Sequence, residues 1–243
     1  LKRTFEGYSK RIIIAGDGVE ALQLVRSHVP DIIVSDVMMP RMNGYKLCKT
    51  IKEDINISHI PVILLTARDD RQSQISGYKN GADGYLSKPF EVEMLMELIR
   101  NRLKNREYTK KRYLNAGLIP TPEESTISLT DETFLIKLNS IIQENIENSN
   151  LGIQFICQEV GLGRSSLYNK LKALTGMGAN EYISKLRIEK AITLISGTDM
   201  PFSEIAEKTG FTTPSYFSTA FKQYTGETPS QYKERKKKGL ADK

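Results

Sequence analysis

Three polar side chains stand at or just after short apolar runs in the first half of the chain, and together they could handle a phosphoryl group. They are Asp36, Thr66 and Lys88. A carboxylate can attack a phosphoryl group as a nucleophile. A cation such as Lys88 and a hydroxyl donor such as Thr66 would then stabilise the charge on the phosphoryl oxygens. Because carboxylate and phosphate repel each other, a divalent cation is also needed, normally Mg²⁺ held by oxygen ligands.

Each of these three residues has an ordinary interpretation when it is taken alone. An aspartate after a strand usually caps a turn, and a lysine there is usually solvated. The occurrence of all three at successive strand ends favours a shared site over three unrelated turn residues.

The elements that must position these side chains alternate between strands and helices. This alternation predicts an α/β fold with a doubly wound parallel sheet, in which the carboxyl ends of the strands meet at one edge. Apolar β-branched runs predict strands, and apolar spacings of three and four predict helices. The predicted strands span 11–15, 31–35, 61–66 and 84–87, and the predicted helices span 18–28, 44–54, 70–80 and 91–104.

The second half of the chain contains an internal repeat. The run ICQEVG at 156–161 recurs as IAEKTG at 205–210, and a helical pattern ending in Thr-Gly follows each run. Each copy predicts a short helix, a turn at glycine and a second helix, which is the helix-turn-helix layout. One copy alone would also suit an ordinary helical hairpin, whereas two matched copies favour a duplicated DNA-binding motif.

The second helix of each copy has an apolar and a polar face. We expect Leu167, Leu171 and Leu174 in the first copy, and Phe217, Phe221 and Tyr224 in the second, to face inward. The outward positions carry no acidic residue, whereas a plain solvated face is usually richer in Glu and Asp. Such polar groups can read base edges and phosphates. The outward stripes are Ser165, Tyr168, Asn169 and Lys172, and Ser215, Ser218, Thr219 and Lys222.

The segment between the copies, 179–196, is helix-like throughout. Eighteen residues at a rise of about 1.5 Å give a rod of about 27 Å. Such a rod could space two recognition helices by about one turn of DNA, roughly 34 Å.

The first half resembles the receiver domain of two-component response regulators in the stretches AGDGVEAL, PDIIVSDVMMPRMNG, PVILLTA and GADGYLSKPF. The resemblance implies that Asp36 accepts the phosphoryl group and that Lys88, before a cis-Pro89, contacts it. It implies that Thr66 and Tyr85 form a switch pair. It also implies a metal site at Asp36 and the backbone carbonyl of Met38, although the family's usual acidic pair is absent.

The second half resembles the DNA-binding domain of the AraC family over 131–235, most specifically in FSEIAEKTGFTTPSYFSTAFKQYTGETPSQYK. A receiver domain followed by an AraC-type DNA-binding domain looks most like the C-terminal end of Bacteroidetes hybrid two-component systems. The resemblance, with the lysines of the stripes, predicts DNA contacts at Arg164, Ser165, Tyr168, Asn169 and Lys172, and at Pro214, Ser215, Thr219 and Lys222.

Composition excludes several other classes. The 243 residues contain no apolar run near the roughly 18 residues of a membrane helix. Two distant cysteines and two histidines argue against a disulfide framework and a His-built metal site. The net charge of +6 is uneven, with 0 over 1–99, +6 over 100–112, −5 over 113–149 and +5 over 150–243. These shifts separate a front half from a back half. Together with the predicted helices, the two resemblances imply a receiver domain at 1–104 that lacks its first strand, a linker at 105–130 and a DNA-binding domain at 131–243.

The sequence therefore predicts a phosphorylation-controlled, sequence-specific transcription regulator. We expect double-stranded DNA, a histidine kinase domain and a second copy of the chain as partners, a cytoplasmic location and no membrane contact by this segment. We expect no enzyme activity here beyond self-phosphoryl transfer at Asp36, whereas a hybrid parent would carry histidine kinase activity upstream. The alternatives are a stand-alone response regulator, a phosphate-relay module and a structural interaction module.

Overall fold

The computed structural model describes residues 11–67, 81–116 and 128–241. The chain divides into two compact units. The first comprises Leu1–Lys111 with Pro120–Thr133, and the second comprises Arg112–Ile119 with Phe134–Lys243.

The first unit is built on a parallel sheet in the order β1–β2–β3. Asp36 pairs with Leu65 across β1 and β2, and Ala67 pairs with Lys88 across β2 and β3. The three strands therefore end together at one edge. They are β1 (Ile33–Asp36), β2 (Val62–Ala67) and β3 (Gly84–Lys88). The helices of this unit, in chain order, are α1 (Gly18–His28), α2 (Gly44–Glu53) and α3 (Val92–Ala116).

Apolar side chains of β2 alternate between the two faces of the sheet and bury a core on each. Leu64 packs in a cluster with Leu47 and Ile51 of α2. Leu65 packs on the opposite face with Leu95 of α3. This three-layer arrangement confirms the predicted doubly wound α/β fold.

One predicted strand is wrong. Residues 11–15 lie in the described part of the chain but form no strand there, and Ile14 is exposed. A parallel strand exists only where a neighbour completes its hydrogen bonds, and no described strand pairs with this segment. The predicted helix at 70–80 lies outside the described residues, while α3 runs on to Ala116, into the segment 105–130 that is predicted as a linker.

The second unit is all-helical in its described residues and contains two helix-turn-helix motifs, as predicted. Gly161 and Gly210 hold positive φ angles of 74° and 69° at the two turns, a conformation that glycine adopts at no steric cost. The helices are α4 (Leu129–Glu144), which begins within the first unit, α5 (Ile153–Val160), α6 (Arg164–Thr175), α7 (Ala179–Gly197), α8 (Phe202–Lys208), α9 (Pro214–Thr225) and α10 (Pro229–Ala241).

The two recognition helices, α6 and α9, end in the same way. Gly176 and Gly226 both have positive φ, and their N–H groups donate to the carbonyls of Lys172 and Lys222 at 3.0 and 2.9 Å. Both helices contain 12 residues. The repeat seen in the sequence is therefore a repeat of structure.

The predicted inward face of α6 and α9 is confirmed at five of its six positions. Leu167, Leu171, Leu174, Phe217 and Phe221 are buried. Tyr224 is the exception, because it is 39% exposed. It lies in the last turn of α9, and its hydroxyl reaches the backbone of α7 instead of entering the core.

No helix in the described ranges is long and apolar enough to cross a membrane.

Candidate phosphorylation site and nucleic-acid interface

Asp36 and Lys88 meet at the carboxyl edge of the sheet. The Nζ atom of Lys88 lies 2.5 Å from Oδ1 of Asp36. Their side chains are 46% and 43% exposed, so the carboxylate is open to an incoming phosphoryl donor. The strand ends bring together a carboxylate and a cation that are far apart in sequence. The Lys88–Pro89 peptide bond is cis, as the receiver resemblance implies.

Thr66 stands on β2 beside this pair. Its hydroxyl is buried and makes no hydrogen bond to any residue that the structure describes. A buried hydroxyl without a partner costs free energy, so a ligand oxygen in reach would satisfy it. Tyr85 of β3 pairs in register with Leu64 of β2 and packs against the apolar cluster that contains Leu64. Thr66 lies two residues after Leu64 in the same strand, so Tyr85 and Thr66 lie on the same face of the sheet.

The loop after Asp36 is held tightly against two helix N-termini. The amide of Gly44, the first residue of α2, donates to the carbonyl of Val37 at 2.9 Å. A Cβ atom on Gly44 would lie 2.3 Å from the Asp36 carbonyl, so only glycine fits there. This contact fixes the backbone that carries the candidate phospho-acceptor.

Asp17 anchors the same loop from α1, a contact that the sequence did not reveal. Its carboxylate caps α1 through the amides of Val19 and Glu20 and forms an ion pair with Arg41. Burial would raise the pKa of Asp17, but the hydrogen bonds from Arg41 and the two amides outweigh it and lower the pKa. Asp17 therefore serves as a structural anchor.

The described residues do not complete a metal site. No group of three or more His, Cys, Asp or Glu side chains that could hold an ion occurs among them. At the sheet edge, the predicted ligands are the Asp36 carboxylate, which faces Lys88, and the Met38 carbonyl. Mg²⁺ requires a near-octahedral set of oxygens, so these two groups alone do not fit it.

All the predicted DNA contacts lie on exposed positions of the two recognition helices. In α6 they flank an open groove of about 450 Å³, which Arg164, Ser165, Tyr168 and Asn169 help to line. In α9 a shallower groove of about 520 Å³ is lined by residues that include Ser218, Thr219 and Lys222. The exposed residues are Arg164, Ser165, Tyr168, Asn169 and Lys172, with Pro214, Ser215, Thr219 and Lys222.

Two contacts on these faces could not be read from the sequence. The hydroxyl of Thr219 donates to the Ser215 carbonyl at 3.1 Å, which leaves its oxygen as an acceptor for a base amino group. Gln223 lines the second groove beside Lys222 and adds an amide able to donate and accept. Gln223 lies outside the i, i+3, i+4, i+7 stripe, so periodicity missed it.

These two assemblies define a class of protein: a phospho-acceptor domain joined to a double helix-turn-helix DNA reader. Family models match the response regulator receiver domain over residues 1–100 and a helix-turn-helix domain over residues 156–235. The chain belongs to the response regulators, with a receiver domain and an AraC-type DNA-binding domain.

Similar proteins share this arrangement to different extents. Histidine kinase P4 of Formosa agariphila is 42% identical over 224 residues, which cover 92% of this chain and 16% of that protein. The protein named probable transcriptional regulator ycf29 of Pyropia yezoensis is 30% identical over 181 residues, covering 70% of this chain and 82% of that one. The chain thus spans only a small part of the first of these relatives.

A solved structure is also similar. The C-terminal domain of AraT, a response regulator from Geobacillus stearothermophilus, matches with a TM-score of 0.40 and 31% identity, over 42% of this chain and 84% of that one. Because this TM-score is below 0.5, we base the family on the sequence matches alone.

Proposed function

We propose that this chain is a phosphorylation-controlled, sequence-specific transcription regulator of a two-component system. The observation that carries the proposal is the contact between Lys88 and Asp36 at the open edge of the sheet. The same chain presents two matched recognition helices whose exposed stripes lack acidic residues. A phosphate-relay module leaves that second feature unexplained.

The chemistry at Asp36 is transfer of a phosphoryl group from a histidine of a kinase domain. A carboxylate oxygen of Asp36 attacks phosphorus, so a P–O bond forms while the P–N bond to the donor imidazole breaks. Lys88, already beside the carboxylate, then faces the phosphoryl oxygens and balances their charge. The buried hydroxyl of Thr66 gains an acceptor, and Tyr85 rearranges with it.

Receiver domains typically use Mg²⁺ for phosphorylation, and the ion would shield the carboxylate from the incoming phosphoryl group. We propose Asp36 and the Met38 carbonyl as its ligands within this chain, in a set that other oxygens must complete. The partners that we propose are double-stranded DNA, a histidine kinase domain and a second copy of the chain in the active state. Because the proposed ligand is DNA, we place this segment in the cytoplasm.

The salt dependence of DNA binding tests the phosphate contacts. We expect the affinity for an operator to fall steeply with salt, because lysines that neutralise phosphates release counterions. Lys222→Gln should reduce the slope of log K against log salt by about 1. Lys137→Gln removes an exposed lysine of α4, outside both recognition helices, and should leave the slope unchanged. Equal slopes in both variants and the wild type would remove Lys222 from the interface.

Substitution in the first recognition helix tests sequence readout. We expect Asn169→Ala to change which bases are preferred at one or two positions, because a side-chain amide can pair with a base edge in two places. The cost should be about 1–3 kcal/mol at the affected base pair. DNA selection with the variant measures this, and Asn150→Ala, which alters an exposed loop residue, is the control. An equal loss of affinity on all sequences would show that Asn169 contacts only the backbone.

A further inference from the structure

The first turn of α7 contacts both recognition helices. Oε2 of Glu181 accepts a hydrogen bond from the Gly178 amide at 2.7 Å and lies 4.0 Å from Nζ of Lys172 on α6. The backbone carbonyl of Glu181 accepts from the hydroxyl of Tyr224 on α9 at 2.7 Å. One residue of the connecting helix therefore touches both halves of the DNA reader.

Comparison of the two copies shows that packing alone does not require Tyr224. The aligned residue of the first copy is Leu174, which is 5% exposed and belongs to the core. Tyr224 is 39% exposed, so it is less buried than the leucine of the first copy. Its hydroxyl makes a polar contact across 43 residues of sequence, which the leucine of the first copy cannot make because it has no polar group.

The hydroxyl of Tyr224 stays a donor at ordinary pH. Burial raises the pKa of Tyr224 to about 12, and the negative charge of Glu181 is the second largest cause of this rise. The proton is therefore retained, and the hydrogen bond to the Glu181 carbonyl persists over the pH range in which proteins bind DNA.

We propose that the hydrogen bond from Tyr224 to the Glu181 carbonyl fixes the separation and rotation of α9 relative to α6, so that the chain reads two half-sites at one spacing only. Tyr224 is thus a positioning residue for specificity. The inference rests on the proposed DNA binding. An added base pair moves one half-site by about 3.4 Å and turns it by about 35°, because DNA has roughly ten base pairs per turn.

The test compares duplexes that the wild-type chain selects with the same duplexes carrying one base pair more or fewer between the half-sites. A duplex with the first half-site alone is measured beside them. We expect the wild type to bind the altered spacings much more weakly than the selected one. Tyr224→Phe should bind the selected duplex about fivefold more weakly, the size of one lost hydrogen bond, and its penalty for altered spacing should shrink. Its affinity for the single half-site should stay within about twofold of wild type, which also shows that the variant is folded.

A control variant separates this role from general packing. Tyr232→Phe removes a hydroxyl from α10, outside the contact, and should keep the wild-type spacing penalty. A Tyr224→Phe chain whose spacing penalty equals that of wild type overturns the inference. If the wild type selects no DNA sequence at all, the proposed function is wrong, and the inference is wrong as well because it rests on that function.

Discussion

The Asp36→Asn variant should accept no phosphoryl group and should lose every phosphorylation-dependent change in DNA affinity. The amide is nearly the same size as the carboxylate but carries no negative charge with which to attack phosphorus. The contact with Lys88 also changes from an ion pair to a weaker hydrogen bond. The measurement is incorporation of labelled phosphate from the phosphorylated kinase domain into the full-length protein that carries this chain.

A matched control for this substitution lies at the other end of the same strand. Asp31 is exposed and just precedes β1, whereas Asp36 ends it. Asp31→Asn should therefore be labelled as the wild type is. Label that persists in Asp36→Asn would place the phospho-acceptor elsewhere and refute the assignment.

The Phe217→Ala variant should lose most of the stability of the second helix-turn-helix. Phe217 is fully buried, and its ring centroid lies 5.4 Å from that of Phe211 and 5.7 Å from that of Phe221. Removing a buried phenyl group costs about 3–5 kcal/mol, from lost transfer free energy and from the cavity that remains. For a unit of this size such a loss lowers Tm by about 15 °C or more.

Calorimetry of the variant, with DNA binding measured alongside, tests this expectation. Phe155→Ala is the control, because Phe155 of α5 is 39% exposed and should cost far less. A fall in Tm no larger than that of the control would mean that Phe217 is not the centre of this core. We also expect Phe217→Ala to lose the contribution of the second half-site to affinity, because α9 is no longer held in place.

Local signals explain why most elements could be predicted. The helix Gly18–His28 is predicted at its observed bounds because apolar residues recur at helical spacing, and in the structure Asp17 caps its start. The strand ends at Asp36 and Lys88 follow from the short apolar runs that precede them, and parallel pairing makes their proximity predictable. The chemical roles of these residues remain predictions.

Features that depend on distant partners could not be predicted in this way. The run at 11–15 has the composition of a strand, but composition does not say whether a neighbour completes its hydrogen bonds. The apolar period placed Tyr224 in the core, whereas the acceptor at Glu181 draws its hydroxyl away. The pairing of Arg41 with Asp17 likewise joins two loops whose proximity only the folded sheet creates.

The most direct measurement of the central claim is the affinity of the full-length protein for its selected operator, before and after phosphorylation, in the wild type and in Asp36→Asn. Coupling between two sites in one protein typically changes affinity by about 5- to 150-fold. We expect a change within that range in the wild type and none in the variant. The same affinity in both states of the wild type would contradict control of DNA binding by Asp36.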